Sequence, residues 1–239
     1  QIMSKKTLEF KNNRINSFQK WFSNDLDIDN YLDDILSLKG VVTEPALSRL
    51  IPRLLPAEAS IMLASSSPIR DWVSFSGSQG LERNCFGFRG ASGIDGTLSL
   101  GVGLSMILGP TLLVCGDLAL LHDSNGWLIA KPNLPKLVVL LIDNGGGGIF
   151  RQLKLNSLNK ERLDQLFAMP QDVDPLALAE AHEIANRQVA CLDDLEEAIE
   201  WGFAQSGPTL IRVCTDPEED TLLRQKIRNE IKSKHFFTH

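Results

Sequence analysis

Residues 111–117 read TLLVCGD and residues 137–148 read LVVLLIDNGGGG. Each starts as a continuous apolar run of strand length, Thr111–Cys115 and Leu137–Ile142, and each ends on a polar tip, Gly116-Asp117 and Asp143-Asn144. A strand with one wet face would alternate apolar and polar residues. These do not alternate, so both faces are buried, as in a parallel sheet covered by helices on either side. The intervening segment is long enough for a crossover helix, which makes a right-handed βαβ unit. Both tips then leave the carboxyl edge of the sheet, where open α/β folds bind ligands.

Working outward, strand and helix signals keep alternating. Thr43 is an N-cap ahead of Leu47, Leu50, Ile51 and Leu54 at helical spacing, with Pro52 bending that helix and Pro56 ending it. A short apolar run (Ile61–Ala64), a Ser-rich turn and a glycine-rich loop from Gly87 to Gly96 follow. Thr97–Leu108 reads as a helix closed by Gly109-Pro110. Asp174-Pro175 and a capping box at Asp193–Glu196 open two further helices, and Thr209–Val213 is another buried strand. The expected fold is α/β, a doubly wound parallel sheet with helices on both faces. Residues 1–40 hold too little aliphatic material for a core and read as a linker or the tail of a preceding domain. The main domain is expected over 41–225, with 226–239 as a C-terminal tail.

Composition narrows the function. With 24 Lys and Arg against 30 Asp and Glu, the net charge of −6 argues against gripping nucleic acid through its phosphates. No apolar run approaches the ~20 residues needed to span a bilayer, and QIMSKKTLEF lacks a signal peptide's apolar stretch. Cys85, Cys115, Cys191 and Cys214 are scattered, without a CxxC pair or a nearby His at zinc-ligand spacing. A reducing, cytoplasmic setting without transmembrane segment, disulfide framework or structural zinc is the expectation.

The strand tips carry the chemistry. Asp117 and Asn144 stand 27 positions apart (144 minus 117), on strands that a βαβ unit of that length places side by side. A carboxylate with an amide oxygen suits Mg²⁺, which takes few protein ligands and completes its octahedron with phosphate and water. The glycines at 145–148 let backbone N–H and carbonyl groups approach an anion without Cβ obstruction. A lone Asp at a strand end is usually a cap or turn former, and a glycine run is usually a loop. Their joint occurrence after two buried strands points to a metal–diphosphate site.

This spacing resembles the thiamine diphosphate motif, Gly-Asp-Gly followed by roughly 25–30 residues and Asn, with Leu118 here in place of the last Gly. FRGASGIDGTLSLGVG (88–103), GDLALLHDSNG (116–126) and LIDNGGGGIF (141–150) together resemble one family, SEPHCHC synthase (2-succinyl-5-enolpyruvyl-6-hydroxy-3-cyclohexene-1-carboxylate synthase). SSSPIRD (65–71) is similar to that family's Asn-Ser-Met-Pro-x-Arg-Asp substrate pattern, and the glycine run looks most like cyanobacterial versions. The likeness covers roughly residues 42–215. It implies a carboligase of menaquinone or phylloquinone biosynthesis that decarboxylates 2-oxoglutarate and adds the resulting carbanion to isochorismate.

Carried onto these positions, the resemblance makes Asp117, Asn144 and the Gly146 carbonyl ligands of Mg²⁺ (or Mn²⁺). Ser92, Gly93, Ile94, Gly116, Leu118, Gly147 and Ile149 would lie along thiamine diphosphate, with Ile94 as the wedge that keeps it bent. Ser66, Arg70 and Arg89 would hold substrate carboxylates, a task to which the arginine fork is suited. Ile149, Phe150 and Leu153 would wall the reaction chamber. His122, a lone histidine at a helix start, is expected to be structural, and Asp95 and Asp123 to cap helix N-termini.

The resemblance also implies a glutamate that activates the cofactor's aminopyrimidine, supplied by a pyrimidine-binding domain of the same or a partner chain. No catalytic residue of that kind stands in this sequence, so the chain is expected to be inactive without that half and homo-oligomeric when complete. Two other readings stay open: a non-catalytic diphosphate–Mg²⁺ or partner-binding module, and an acetolactate-synthase relative. Leu118 and RGASGIDG weaken the latter.

Overall fold

Six strands form among the described residues, which are 22–88, 92–152 and 160–233 of a computed structural model. They are β1 (Ser60–Leu63), β2 (Cys85–Gly87), β3 (Thr111–Gly116), β4 (Leu137–Asp143), β5 (Ala185–Val189) and β6 (Thr209–Cys214). Every pairing is parallel and the order across the sheet is β2-β1-β3-β4-β6-β5. β1 and β3 are neighbours although the chain visits β2 between them. The order therefore reverses at that point, which in open α/β sheets opens a crevice at the carboxyl edge.

Burial explains the apolar runs. Leu112, Val114, Val138, Leu140 and Ile142 join one buried cluster, and the alternate residues Leu113, Cys115, Leu137, Val139 and Leu141 join another. The first cluster includes residues of α2 (Glu44–Leu54), α3 (Ser67–Phe75) and α10 (Leu195–Ala204). The second includes α5 (Thr97–Leu108), α6 (Asp117–His122), α7 (Trp127–Asn133) and α9 (Pro175–Ala181). Helices thus cover both faces of a doubly wound sheet. Each fully buried Leu, Ile or Val contributes about 1.5–3 kcal/mol relative to exposure.

Local signals explain most helix ends. Thr43 accepts the N–H of Ala46 at 3.3 Å, and Asp174 accepts that of Leu176 at 2.9 Å. The Thr97–Leu108 helix has the expected bounds, with Gly109 in a positive-φ conformation after it. Pro52 stays inside α2, which ends at Leu54. Carbonyls there lack helical donors, and Arg83 supplies them: its guanidinium donates to Pro52, Leu55 and Pro56 at 2.5–3.0 Å.

Several expectations need correction. The capping box at Asp193–Glu196 does not form: α10 begins at Leu195 after a 3₁₀ turn, and its N-cap Asp194 makes no side-chain capping bond. Asp193 instead accepts the N–H of Gly40 at 2.7 Å, a contact 153 positions away that outcompetes the local bond. The Ser-rich turn leads directly into α3 rather than into a loop. β2 and β5 were not anticipated, because β2 is three exposed residues and β5 is a largely polar edge strand. His122 ends α6 rather than starting a helix.

Described residues divide into two compact units, one within Leu38–Leu223 and one drawn from Gln1–Ser37 and Arg224–His239. The sheet and its helices belong to the first. In the second, residues 22–35 form helix α1, and Tyr31 donates to Glu230 at 2.8 Å. Burial first, then the Glu230 carboxylate, pushes the Tyr31 phenol up to about 12. Glu230 lies on α11 (Pro217–Ser233), so residues 226–233 are helical. In the first unit, the remaining α-helices among the described residues are α4 (Gly77–Leu81) and α8 (Lys160–Leu163), the latter continuing into a π-turn at Asp164–Ala168. No helix among the described residues is long and apolar enough to cross a membrane.

Candidate diphosphate and metal site

Gly116 of β3 pairs in register with Ile142 of β4, so Asp117 and the Asp143-Asn144 tip emerge together from adjacent central strands. Asp117 is the first residue of α6 and is buried. Its Oδ1 accepts the Leu118 N–H at 2.6 Å and its Oδ2 accepts the Gly146 N–H at 2.7 Å. Burial pushes its carboxyl up to about 6, against the pull of those two N–H bonds, and the neighbouring Asp143 adds to the rise. Asp143 itself is held by Arg212, whose Nε and Nη2 donate to Oδ2 at 2.8 and 2.7 Å. That pair anchors the end of β4.

Asn144 is oriented from outside its own loop. Its Nδ2 donates to Glu44 Oε1 at 2.6 Å, while its Oδ1 is buried without a hydrogen-bond partner. An orphaned buried acceptor of this kind requires an explanation, and a bound cation supplies one. Gly146 follows at φ +114°, and a Cβ there would lie 2.2 Å from the Ala168 carbonyl oxygen. Only glycine fits. The Gly146 carbonyl accepts the Gly148 N–H at 2.9 Å, and a carbonyl oxygen keeps a second lone pair for another partner.

Other loops complete the surroundings. Gly147 donates to Ala168 at 2.5 Å, the Phe150 and Phe167 rings pack 5.4 Å apart, and Arg151 pairs with Asp164 at 2.6 Å. These contacts tie the glycine loop to the π-turn. After β1, Ser66 stands at φ 80°, ψ −135°, a conformation costly for any residue with a Cβ. Such strain, of about 1–3 kcal/mol, concentrates at functional sites. Arg70 Nη1 donates to the Ser66 carbonyl at 2.7 Å.

A cleft of about 290 Å³ opens where these loops meet. Its lining brings together Ser66, Ile94, Gly116, Asp117, Leu118, Asn144, Gly146, Gly147, Ile149 and Phe150, all expected at a site. Ser92, Gly93 and Arg70 do not line it, and Arg70 is exposed. Arg89 and Leu153 lie outside the described residues. Sequence reasoning missed Glu44 and Ile142 in the lining. Glu44 reads simply as an acidic residue in a helix's first turn, and nothing near it in the sequence signals a partner 100 positions away.

His122 and its neighbours form a separate, exposed group. His122 Nδ1 lies 3.2 Å from Asp95 Oδ1 and neither residue lines the cleft. Asp95 therefore contacts His122 rather than capping a helix. Asp123 accepts the Ser99 N–H at 2.7 Å and so caps the first turn of α5, a helix earlier in the chain.

The cleft can hold an anion bridged by a hydrated divalent cation. One carboxylate, one orphaned amide oxygen and one backbone carbonyl form an all-oxygen donor set on rigid strand ends, and such sets favour Mg²⁺ over softer metals. No group of three or more His, Cys, Asp or Glu residues placed to hold a metal occurs among the described residues.

Sheet order, cleft position and donor set define a cofactor-binding domain of the doubly wound class. The family model described as "Thiamine pyrophosphate enzyme, C-terminal TPP binding domain" matches residues 75–213, and the chain belongs to that family. Over 210 residues it is 61% identical to 2-succinyl-5-enolpyruvyl-6-hydroxy-3-cyclohexene-1-carboxylate synthase of Prochlorococcus marinus (strain MIT 9313), covering 88% of this chain and 36% of that protein. The synthase of the same name from Synechococcus sp. (strain CC9311) is 56% identical over 214 residues, 90% of this chain and 37% of the other. The chain thus spans little more than a third of the length of these curated relatives. Benzoylformate decarboxylase from Polynucleobacter necessarius shares the fold at a TM-score of 0.57 and 19% identity, over 73% of this chain and 33% of that one.

Proposed function

We propose that this chain is the diphosphate-binding part of a carboligase that decarboxylates 2-oxoglutarate and joins the remaining four-carbon unit to isochorismate, giving SEPHCHC. The observation that carries the reading is the orphaned, buried Oδ1 of Asn144, a residue that lines the same cleft as Asp117. A buried acceptor and a buried carboxylate at the ends of adjacent strands are what a cation-bridged diphosphate needs. The identity of the substrates rests on the likeness to the two synthases.

In this reading Asp117, Asn144 and the Gly146 carbonyl hold Mg²⁺ (or Mn²⁺), and Gly116, Leu118 and Gly147 line the diphosphate. Ile94, with Ser92 and Gly93 before it, supports the body of the cofactor. Thiamine diphosphate, when bound, supplies the electron sink that decarboxylation of a 2-oxo acid requires. Ser66, Arg70 and Arg89 receive substrate carboxylates. For Arg70 this means releasing the Ser66 carbonyl and turning toward the cleft. Ile149, Phe150 and Leu153 keep water from the reacting carbon, so that isochorismate rather than a proton meets it. A pyrimidine-binding half, on the same or a partner chain, supplies the activating glutamate, and the complete protein is a cytoplasmic homo-oligomer.

The test is an assay of isochorismate consumption that depends on 2-oxoglutarate, with thiamine diphosphate and Mg²⁺. The chain combined with a pyrimidine-binding half should turn over, and the 239-residue chain by itself should not. General acid–base assistance of the missing kind is worth about 10²–10⁴ in rate. Turnover by the single chain at the combined rate, or none by the combination, overturns the proposal.

A further inference from the structure

Asn144 has two amide orientations that differ little in shape and completely in chemistry. One leaves an oxygen free to meet a cation, and the other leaves an NH₂ group that no cation accepts. The backbone of the glycine loop does not choose between them. Glu44 does. Its carboxylate oxygen lies 2.6 Å from the amide nitrogen, and an ionised carboxylate accepts hydrogen bonds without donating any. The flipped amide would set oxygen against oxygen at that distance, so the observed orientation is the one Glu44 imposes.

Glu44 is well placed for this. It is 2% exposed and stands in the first turn of α2, where the helix dipole favours a negative charge. Its own N–H donates to Asp220 Oδ1 at 3.0 Å, and the neighbouring Thr43 caps the helix. Gly148 crowds the amide from another side: a Cβ there would approach Asn144 Nδ2 to 2.8 Å. The outcome is a buried amide oxygen left without a partner, on a residue that shares the cleft lining with Asp117.

We propose that Glu44 is a positioning residue for the cation: it locks the Asn144 amide with Oδ1 toward the metal and so sets Mg²⁺ affinity from outside the ligand shell. This rests on the reading of Asp117 and Asn144 as metal ligands. Carboxylates one step behind a ligand commonly act this way, and removing them costs about 10–100-fold in metal affinity.

The experiment is a calorimetric titration of Mg²⁺ into the complete enzyme at saturating thiamine diphosphate, alongside the melting temperature of the metal-free protein. Glu44→Gln conserves volume but offers an NH₂ group, so Asn144 can turn its oxygen away. Its Mg²⁺ dissociation constant should rise about 10–100-fold while the metal-free melting temperature holds. The double variant Glu44→Gln with Asn144→Asp exchanges donor and acceptor across the same bond and again leaves an oxygen facing the cation. It should recover most of the lost affinity, which a purely structural role for Glu44 does not predict, and it remains informative where the single variant folds poorly. Unchanged affinity in Glu44→Gln, or no recovery in the double variant, overturns the proposal. Asp117→Ala separates the two layers. If it matches wild type, the metal site itself is misplaced; if it alone loses Mg²⁺, only the role of Glu44 is wrong.

Discussion

The backbone N–H of Gly146 donates to Oδ2 of Asp117 at 2.7 Å, bridging residues 29 positions apart at the ends of β3 and β4. This bond couples the shape of the glycine loop to the carboxylate. Geometry in one therefore reports on the other.

Substitution of Gly146 by Ala strikes that coupling first. The new Cβ would meet the Ala168 carbonyl at 2.2 Å, on a backbone whose φ of +114° already excludes side chains. Urea unfolding should show a loss of at least about 1–3 kcal/mol. Binding of Mg²⁺ with thiamine diphosphate should weaken in the same variant.

Replacing Asp117 with Ala removes the carboxylate on which the cation argument depends and leaves the Gly146 and Leu118 N–H groups without their acceptor. Mg²⁺-dependent binding of thiamine diphosphate to the complete enzyme should fall below detection by calorimetry. Unchanged affinity refutes the assignment.

Arg83 predicts a stability effect outside the cleft. It satisfies three carbonyls at the end of α2, the helix whose first turn carries Glu44. A hydrogen bond that involves a charged group contributes about 1.5–3 kcal/mol net of exchange with water, and such contributions do not add in full. For this half-buried group, Arg83→Ala should cost about 2–3 kcal/mol in denaturant unfolding.

Tyr31 gives a pH readout free of overlap, because it is the chain's single tyrosine. Burial and Glu230 raise its folded value to about 12 from the usual 10. The unfolded chain therefore loses its phenolic proton first. The stability tied to this proton is complete below pH 10 and disappears as pH climbs from 10 towards 12. Absorbance titration of phenolate in the folded protein should show the high midpoint, and Glu230→Gln should lower it.

Much of the placement of the candidate site's residues was legible because they are bound to local signals. Two apolar runs of strand length without alternation look like strands buried on both faces, and consecutive parallel strands joined by one crossover are usually neighbours. Asp117 and Asn144 are therefore expected together at one edge, with a run of four glycines that permits a close backbone approach. Tertiary structure alone decided the rest. The reversal of strand order between β1 and β3 puts the strained Ser66 turn on the same cleft. The same fold carries Glu44 from the start of α2 to the amide of Asn144, and draws Asp193 away from its own helix to Gly40. Periodicity reports which face of an element is buried. Which distant residue waits on that face depends on the order of the strands and the packing of the helices, and no local pattern encodes it.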